Sequence, residues 1–241
     1  MTIYTTLAGV TLRALLGRRR TLLMLLLAGM PVLLGLLIRA NNADVDALGA
    51  TLDGFVVRIV LPLIALVFGT AALGSELDDG TAVHILTKPI SRWAIIVTKI
   101  LVAGTLTAAM VVPSTIIGGL LMGGSGSATI GVTFAFAIAT LIGSYVYVAV
   151  FLVLSVATSR GLIIGLAYAL IWEGLLGGLL PGTQVVSVRE YLGGIAGALD
   201  SRAVADSAVG STGFLLVAVA FVLALALGSA RLSRYEVRGT D

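Results

Sequence analysis

Few side chains in this sequence have a type and spacing that could do chemistry, and the usual candidates fail together. His84 is the only histidine, with no second ligand or acid partner at a spacing that would make a metal site or a general base, so it reads as an interface residue. The chain contains no cysteine, which removes disulfides, thiolate nucleophiles and Cys-based metal sites. Ser155, Thr158 and Ser159 have no base to activate a hydroxyl. The glycine-rich run 123–126 lacks a lysine, and no G-x-x-x-x-G-K-[ST] occurs, so the chain cannot hydrolyse ATP by that route. No catalytic constellation and no metal site remain.

Two groupings put charge where charge needs a reason. The first is SELDDGTAVHILTKPISRWA, residues 75–94, in which Glu76, Asp78 and Asp79 precede Lys88 and Arg92. Gly80 can end an arriving helix, Thr81 to Leu86 can form about one and a half helical turns, and Pro89 suits the start of a new helix. Such an elbow presents Val83, Ile85 and Leu86 for docking while its charges set orientation, as a membrane protein needs in order to receive force from a soluble partner. The second grouping is Arg58 and Glu173, each inside an otherwise apolar run. An arginine at a membrane-helix centre costs about 3 kcal/mol on insertion scales, so each charge needs a partner or water. The expectation is that the two approach each other or line one polar cavity, either fixing helix packing or touching substrate and gating its passage.

The elements that must position these groups are membrane spans. Of 241 residues, 59% are hydrophobic and 11% charged, against roughly 25% charged in soluble domains. Several apolar runs reach the length of about 20 residues that a crossing helix needs, and one membrane domain, 1–241, accounts for the whole chain. Residues 1–20 read as an interfacial helix, with Ile3, Leu7, Val10 and Ala14 at helical spacing ahead of Arg18, Arg19 and Arg20. The run after that basic cluster is too long for a secretory signal core and lacks a good small-x-small site near Ile38 to Ala40, so it is read as a span.

Spans are expected at 21–38, 55–74, 95–122, 129–156, 161–180 and 212–230. Pro31 should kink the first, while Pro62 and Pro113 fall inside the second and third. Gly161/Gly165 and Gly174/Gly178 have the spacing that lets helices approach closely. In the long connection 181–211, Val188, Tyr191, Leu192, Ile195 and Leu199 recur at a helical period. A helix at the outer interface follows, or a re-entrant one, for which Gly193, Gly194 and Gly197 would permit tight packing.

Six spans put both termini on one face. Arg13, Arg18, Arg19, Arg20, Lys88, Arg92, Lys99, Arg160, Arg231, Arg234 and Arg238 share that face, whereas Arg39, Arg189 and Arg202 lie on the other. The positive-inside rule places the termini and residues 75–94 in the cytoplasm of a cell whose plasma membrane the chain crosses several times. The same bias explains the net charge of +3 without nucleic acid. Trp93 and Tyr235 near the inner boundary and Trp172 toward the outer one suit interfacial anchoring.

Glu76-x-x-x-Gly80-Thr81, followed by Leu86-x-Lys88-Pro89-Ile90-Ser91-Arg92 and then Lys99, resembles the motif of ABC-2 type transporter permeases, and the six-span plan agrees with that family over nearly the whole chain. The resemblance implies an all-α integral membrane protein: an N-terminal interfacial helix, six transmembrane helices, a cytoplasmic coupling helix between spans 2 and 3, and an outer helical segment between spans 5 and 6. It implies that Thr81 to Leu86 dock on an ATPase subunit while Glu76, Lys88 and Arg92 brace the elbow. ATP and Mg would then be cofactors of that separate nucleotide-binding subunit, with none in this chain. Two permease chains, alike or different, would pair with two ATPases and surrounding lipid to form an exporter. Mostly apolar spans favour a hydrophobic or amphiphilic cargo such as a drug, antibiotic or lipid. The alternative function is a secondary transporter or channel using Arg58 and Glu173 as coupling groups. The spans hold no further acids for a proton relay and show no obvious inverted repeat.

Overall fold

The computed structural model describes residues 2–40, 48–78, 91–124, 126–158, 160–174, 187–204 and 209–233, and they are helical throughout apart from turns. Helix α1 spans Thr2–Leu15 and α2 spans Arg18–Ala40. A short α3, Leu48–Thr51, runs into a π-helical stretch, Leu52–Val60, and then into α4, Leu61–Asp78. Next come α5, Arg92–Gly123, and α6, Ser127–Ala157. A shorter α7, Gly161–Ala167, continues as a second π-helical stretch, Tyr168–Glu173. Helix α8, Val188–Leu199, and α9, Gly213–Ser233, complete the order.

Five of these helical runs are long and apolar enough to cross a membrane: Arg19–Ala40, Leu48–Gly74, Arg92–Gly123, Ser127–Ala157 and Gly210–Leu232. The segment expected as a fifth span at 161–180 is an apolar helix over Gly161–Glu173, short for a crossing by itself, and residues 175–186 lie outside the described residues. The expected coupling helix at 81–86 lies outside them too. The second span begins well before residue 55, because the chain is helical from Leu48 onward. Its π register ends where Pro62 offers no N–H, and the Leu61 N–H reaches back five residues to the Val56 carbonyl.

Helix α6 is the centre of the molecule. Its Phe136, Tyr147 and Phe151 are fully buried, α5 lies along one side of it, α4 packs against both, and α8 and α9 cover the remaining flank. Helix α2 leans on α5 through a close crossing. A Cβ on Gly118 would stand 2.8 Å from the Pro31 carbonyl oxygen, and one on Gly35 would stand 2.7 Å from the Gly118 carbonyl oxygen. In the same place the Ser114 hydroxyl donates to the Ala28 carbonyl, beside the turn in which Pro31 removes a helix hydrogen bond. Helix α1 seats Leu7, Thr11 and Leu15 against α4 and α5. Gly161 and Gly165 do make close approaches: a Cβ on Gly161 would meet the Ser155 backbone, and one on Gly165 would collide with Leu66. Gly124, with φ of 75°, turns the chain between α5 and α6.

Helix α8 does not lie flat across the helix ends. Leu192 fills the space above Gly143, in the middle of α6, whereas Asp200 and Arg202 sit beside Gly131 in its first turns. The helix therefore runs antiparallel to the first half of α6 with its N-terminus among the spans. Gly194 lets the residues leading into α9 close on α8 from another side, since a Cβ there would come within 2.6 Å of the Gly210 carbonyl oxygen.

Candidate functional site

Two polar loci stand out in an otherwise apolar interior. The first joins α4 and α5 near the end of the molecule that carries Arg92. Lys99 is 0% exposed, and its ammonium donates to the Ala72 carbonyl at 2.6 Å. A buried ammonium must be satisfied by acceptors, and a carbonyl near the C-terminus of α4 also carries the negative end of that helix's dipole. The bond ties the last turns of the second span to the first turns of the third. Ser91 holds the extended N-cap position of α5. Arg92 follows as the first helical residue, with one terminal guanidinium nitrogen buried and unpartnered among the described residues. Glu76 falls within α4. Gly80, Thr81, Val83, His84, Ile85, Leu86, Lys88 and Pro89 lie outside the described residues.

The second locus gathers the intramembrane charges. Arg58 and Glu173 both stand on π-helical stretches, which pack against each other. A π-helical turn is an uncommon geometry that recurs at functional positions, because its extra residue shifts a side chain out of the regular stripe. Their charged groups are nevertheless not each other's partners. Glu173 is 0% exposed, and its carboxyl oxygens accept from the Tyr168 hydroxyl at 2.7 Å and the Ser187 hydroxyl at 2.6 Å. They accept also from the backbone N–H of Val188 at 2.9 Å and of Arg189 at 3.2 Å. Those two N–H groups open α8, so Glu173 caps that helix from another part of the chain, where unsatisfied donors and the positive end of the dipole favour an acid.

Around this cap the Arg189 guanidinium pairs with Asp53 of the first π-helical stretch and contacts Glu190 at 3.4 Å. Ser187 also accepts from the Glu190 N–H, so Ser187 and Glu190 stand in the S-x-x-E spacing of a capping box. The Arg58 Nε, the Tyr147 hydroxyl and the Trp172 Nε1 are buried without a partner among the described residues. Beyond α8, Asp200 accepts from the Arg202 side chain at 2.9 and 2.8 Å, and those bonds hold its carboxyl below the usual range.

Sequence reading singled out Arg58 and Glu173 but not Tyr168, Ser187, Asp53 or Arg189. The S-x-x-E at 187–190 was the signal available for the helix start, whereas nothing in the spacing connects it to Glu173. Several other buried hydroxyls turn inward on their own helices: Thr70, Thr107, Thr115 and Ser144 each donate to the carbonyl four residues earlier, whereas the Thr133 hydroxyl is buried without a partner among the described residues. No group of His, Cys, Asp and Glu among the described residues could hold a metal.

A protein-family model described as "ABC-2 family transporter protein" matches residues 17–173, more than half of the chain. The match begins just before α2 and ends at Glu173. Among curated proteins no sequence matches the chain closely enough to count as a relative.

Proposed function

Because the chain belongs to the ABC-2 family of transporter proteins, we propose that this multi-pass membrane protein is the permease subunit of an ATP-driven exporter. The observation that carries the reading is the match itself, which takes in the second and third spans together with the polar elbow between them. In this reading residues 81–86 dock on a separate nucleotide-binding subunit, which holds ATP and Mg. Glu76, Lys88 and Arg92 brace the elbow, and both termini are cytoplasmic. The bond from Lys99 to Ala72 fits such a device, because a push on the elbow would move the ends of α4 and α5 as one body.

Two permease chains enclose the route. Helices α2 and α9 are mostly exposed over their apolar windows, and α7 with the π-helical stretch after it leaves Leu162, Ile163, Leu170 and Ile171 uncovered. These faces are suited to lipid and to a second chain. With several buried hydroxyls bonded to their own helices and few charges in the spans, the interior offers a charged or sugar-like cargo little, which favours a hydrophobic or amphiphilic substrate. A secondary transporter using Glu173 for coupling is disfavoured, because its oxygens are already held by four donors.

The test is copurification in mild detergent from the native membrane. A nucleotide-binding protein should accompany the chain and should be lost when Glu76 and Arg92 are charge-reversed. A chain that copurifies alone and transports in liposomes without ATP would overturn the reading.

A further inference from the structure

Arg39, Arg189 and Arg202 are the three arginines expected on the face away from the termini, against the charge bias of the rest of the chain. Two of them have a local explanation. Arg189 is paired with Asp53 and Glu190, and Arg202 with Asp200. Arg39 has no carboxylate partner among the described residues, is exposed, and closes the last turn of α2. It also stands at the rim of an open crevice of about 500 Å³, lined among the described residues by Leu120 of α5, Gly124 of the turn that follows, and Ile130 and Phe134 of α6. The apolar wall continues past the crevice. Ile130, Phe134 and Ile138 recur every four residues on one face of α6, each 41–48% exposed.

A single cation at the end of a span, above an apolar groove that runs down the span, matches one kind of molecule by chemistry. A soluble anion would use the cation but not the groove, a glyceride without a phosphate would use the groove but not the cation, and a zwitterionic phospholipid would set its own ammonium group against Arg39. We infer that the crevice between the ends of α2, α5 and α6 binds an anionic phospholipid, its phosphate on Arg39 and one acyl chain along Ile130, Phe134 and Ile138. Gly124 lets the chain turn there, and its missing side chain leaves the rim open. The site rests only on the chain's being a membrane protein, so it can fail while the exporter reading stands, and the reverse.

The test places a reporter in the groove. Phe134→Trp, in a chain also carrying Trp93→Phe and Trp172→Phe, is reconstituted in phosphatidylcholine vesicles with increasing brominated phosphatidylglycerol or brominated phosphatidylcholine. Each variant is first checked for monodisperse elution. The anionic lipid should half-quench the tryptophan at about fivefold lower mole fraction, the preference expected of one basic residue at a lipid surface. Adding Arg39→Gln should abolish that preference, and adding Arg231→Gln, at the opposite end of the spans, should leave it unchanged. Equal quenching by both lipids, or a preference that survives Arg39→Gln, would overturn the inference. So would a tryptophan that neither lipid reaches, the result expected if a second copy of the chain seals the groove.

Discussion

At the scale of single residues, the two charged side chains buried among the described residues, Glu173 and Lys99, do different work. Glu173 accepts from two hydroxyls and two backbone N–H groups, so removing it strands several donors at once. Glu173→Ala should destabilise the protein by about 3 kcal/mol, since each unsatisfied buried donor costs roughly 1–3 kcal/mol and water can relieve some of them. Glu173→Gln keeps the shape but turns an NH2 toward donors, and about half that loss is expected. Thermal unfolding in detergent measures both, and equal stability of Glu173→Ala and the parent would remove the helix-capping role. Lys99 is a contrasting case, because its long stem fills space as well as carrying charge. Lys99→Ala should cost about 3 kcal/mol through the cavity and the lost tie to Ala72, while Lys99→Met, which fills the space, should cost under about 1 kcal/mol. The same melts decide this, and a Met variant as damaged as the Ala variant would mean that the charge itself holds the site.

Between elements, the α2–α5 crossing is set by glycine rather than by apolar bulk. Gly118 and Gly35 leave no room for a Cβ beside Pro31, whereas Gly29, on the same helix as Gly35, has nothing within 4 Å. Gly118→Ala should therefore lower stability by about 2 kcal/mol through overpacking, and Gly29→Ala should raise it by roughly 0.5–1 kcal/mol through helix propensity. Opposite shifts in melting temperature are the expected outcome, and a shift of the same sign in both would show that the crossing is loose. The crossing could not be read from sequence, because glycine is common in membrane helices and nothing local marks which one faces a neighbour. Spacing did reveal Gly161 and Gly165 as points of close approach, since both partners, Ser155 and Leu66, lie on spans that the hydrophobic pattern had already located.

For the whole molecule, sidedness is the property that the charge distribution predicts most directly and that labelling can check. The chain has no cysteine, so single cysteines report without background. Ser127→Cys, at the exposed start of α6, should react with an impermeant thiol reagent in intact cells. Ser91→Cys, exposed at an N-cap whose side chain makes no capping bond, should react only after permeabilisation. The reverse pattern would invert the topology. The sequence by itself determined that the chain is helical and membrane-embedded, where the five crossing helices lie, four of them to within a few residues at each end, and which family it resembles. These follow from local quantities: apolar length, the bias of Lys and Arg between loops, and a short ordered motif. It also marked Val188 to Leu199 as helical and Arg58 and Glu173 as charges in need of partners. Only the tertiary structure decided that those partners are not each other, that α8 dips alongside α6 to be capped by Glu173, and that of three outlying arginines two are neutralised within the chain. The physical reason is that a buried charge is satisfied by whichever donors the fold brings within about 3 Å, and those donors, Ser187 and the N–H groups of Val188 and Arg189, come from a segment whose placement no local pattern encodes.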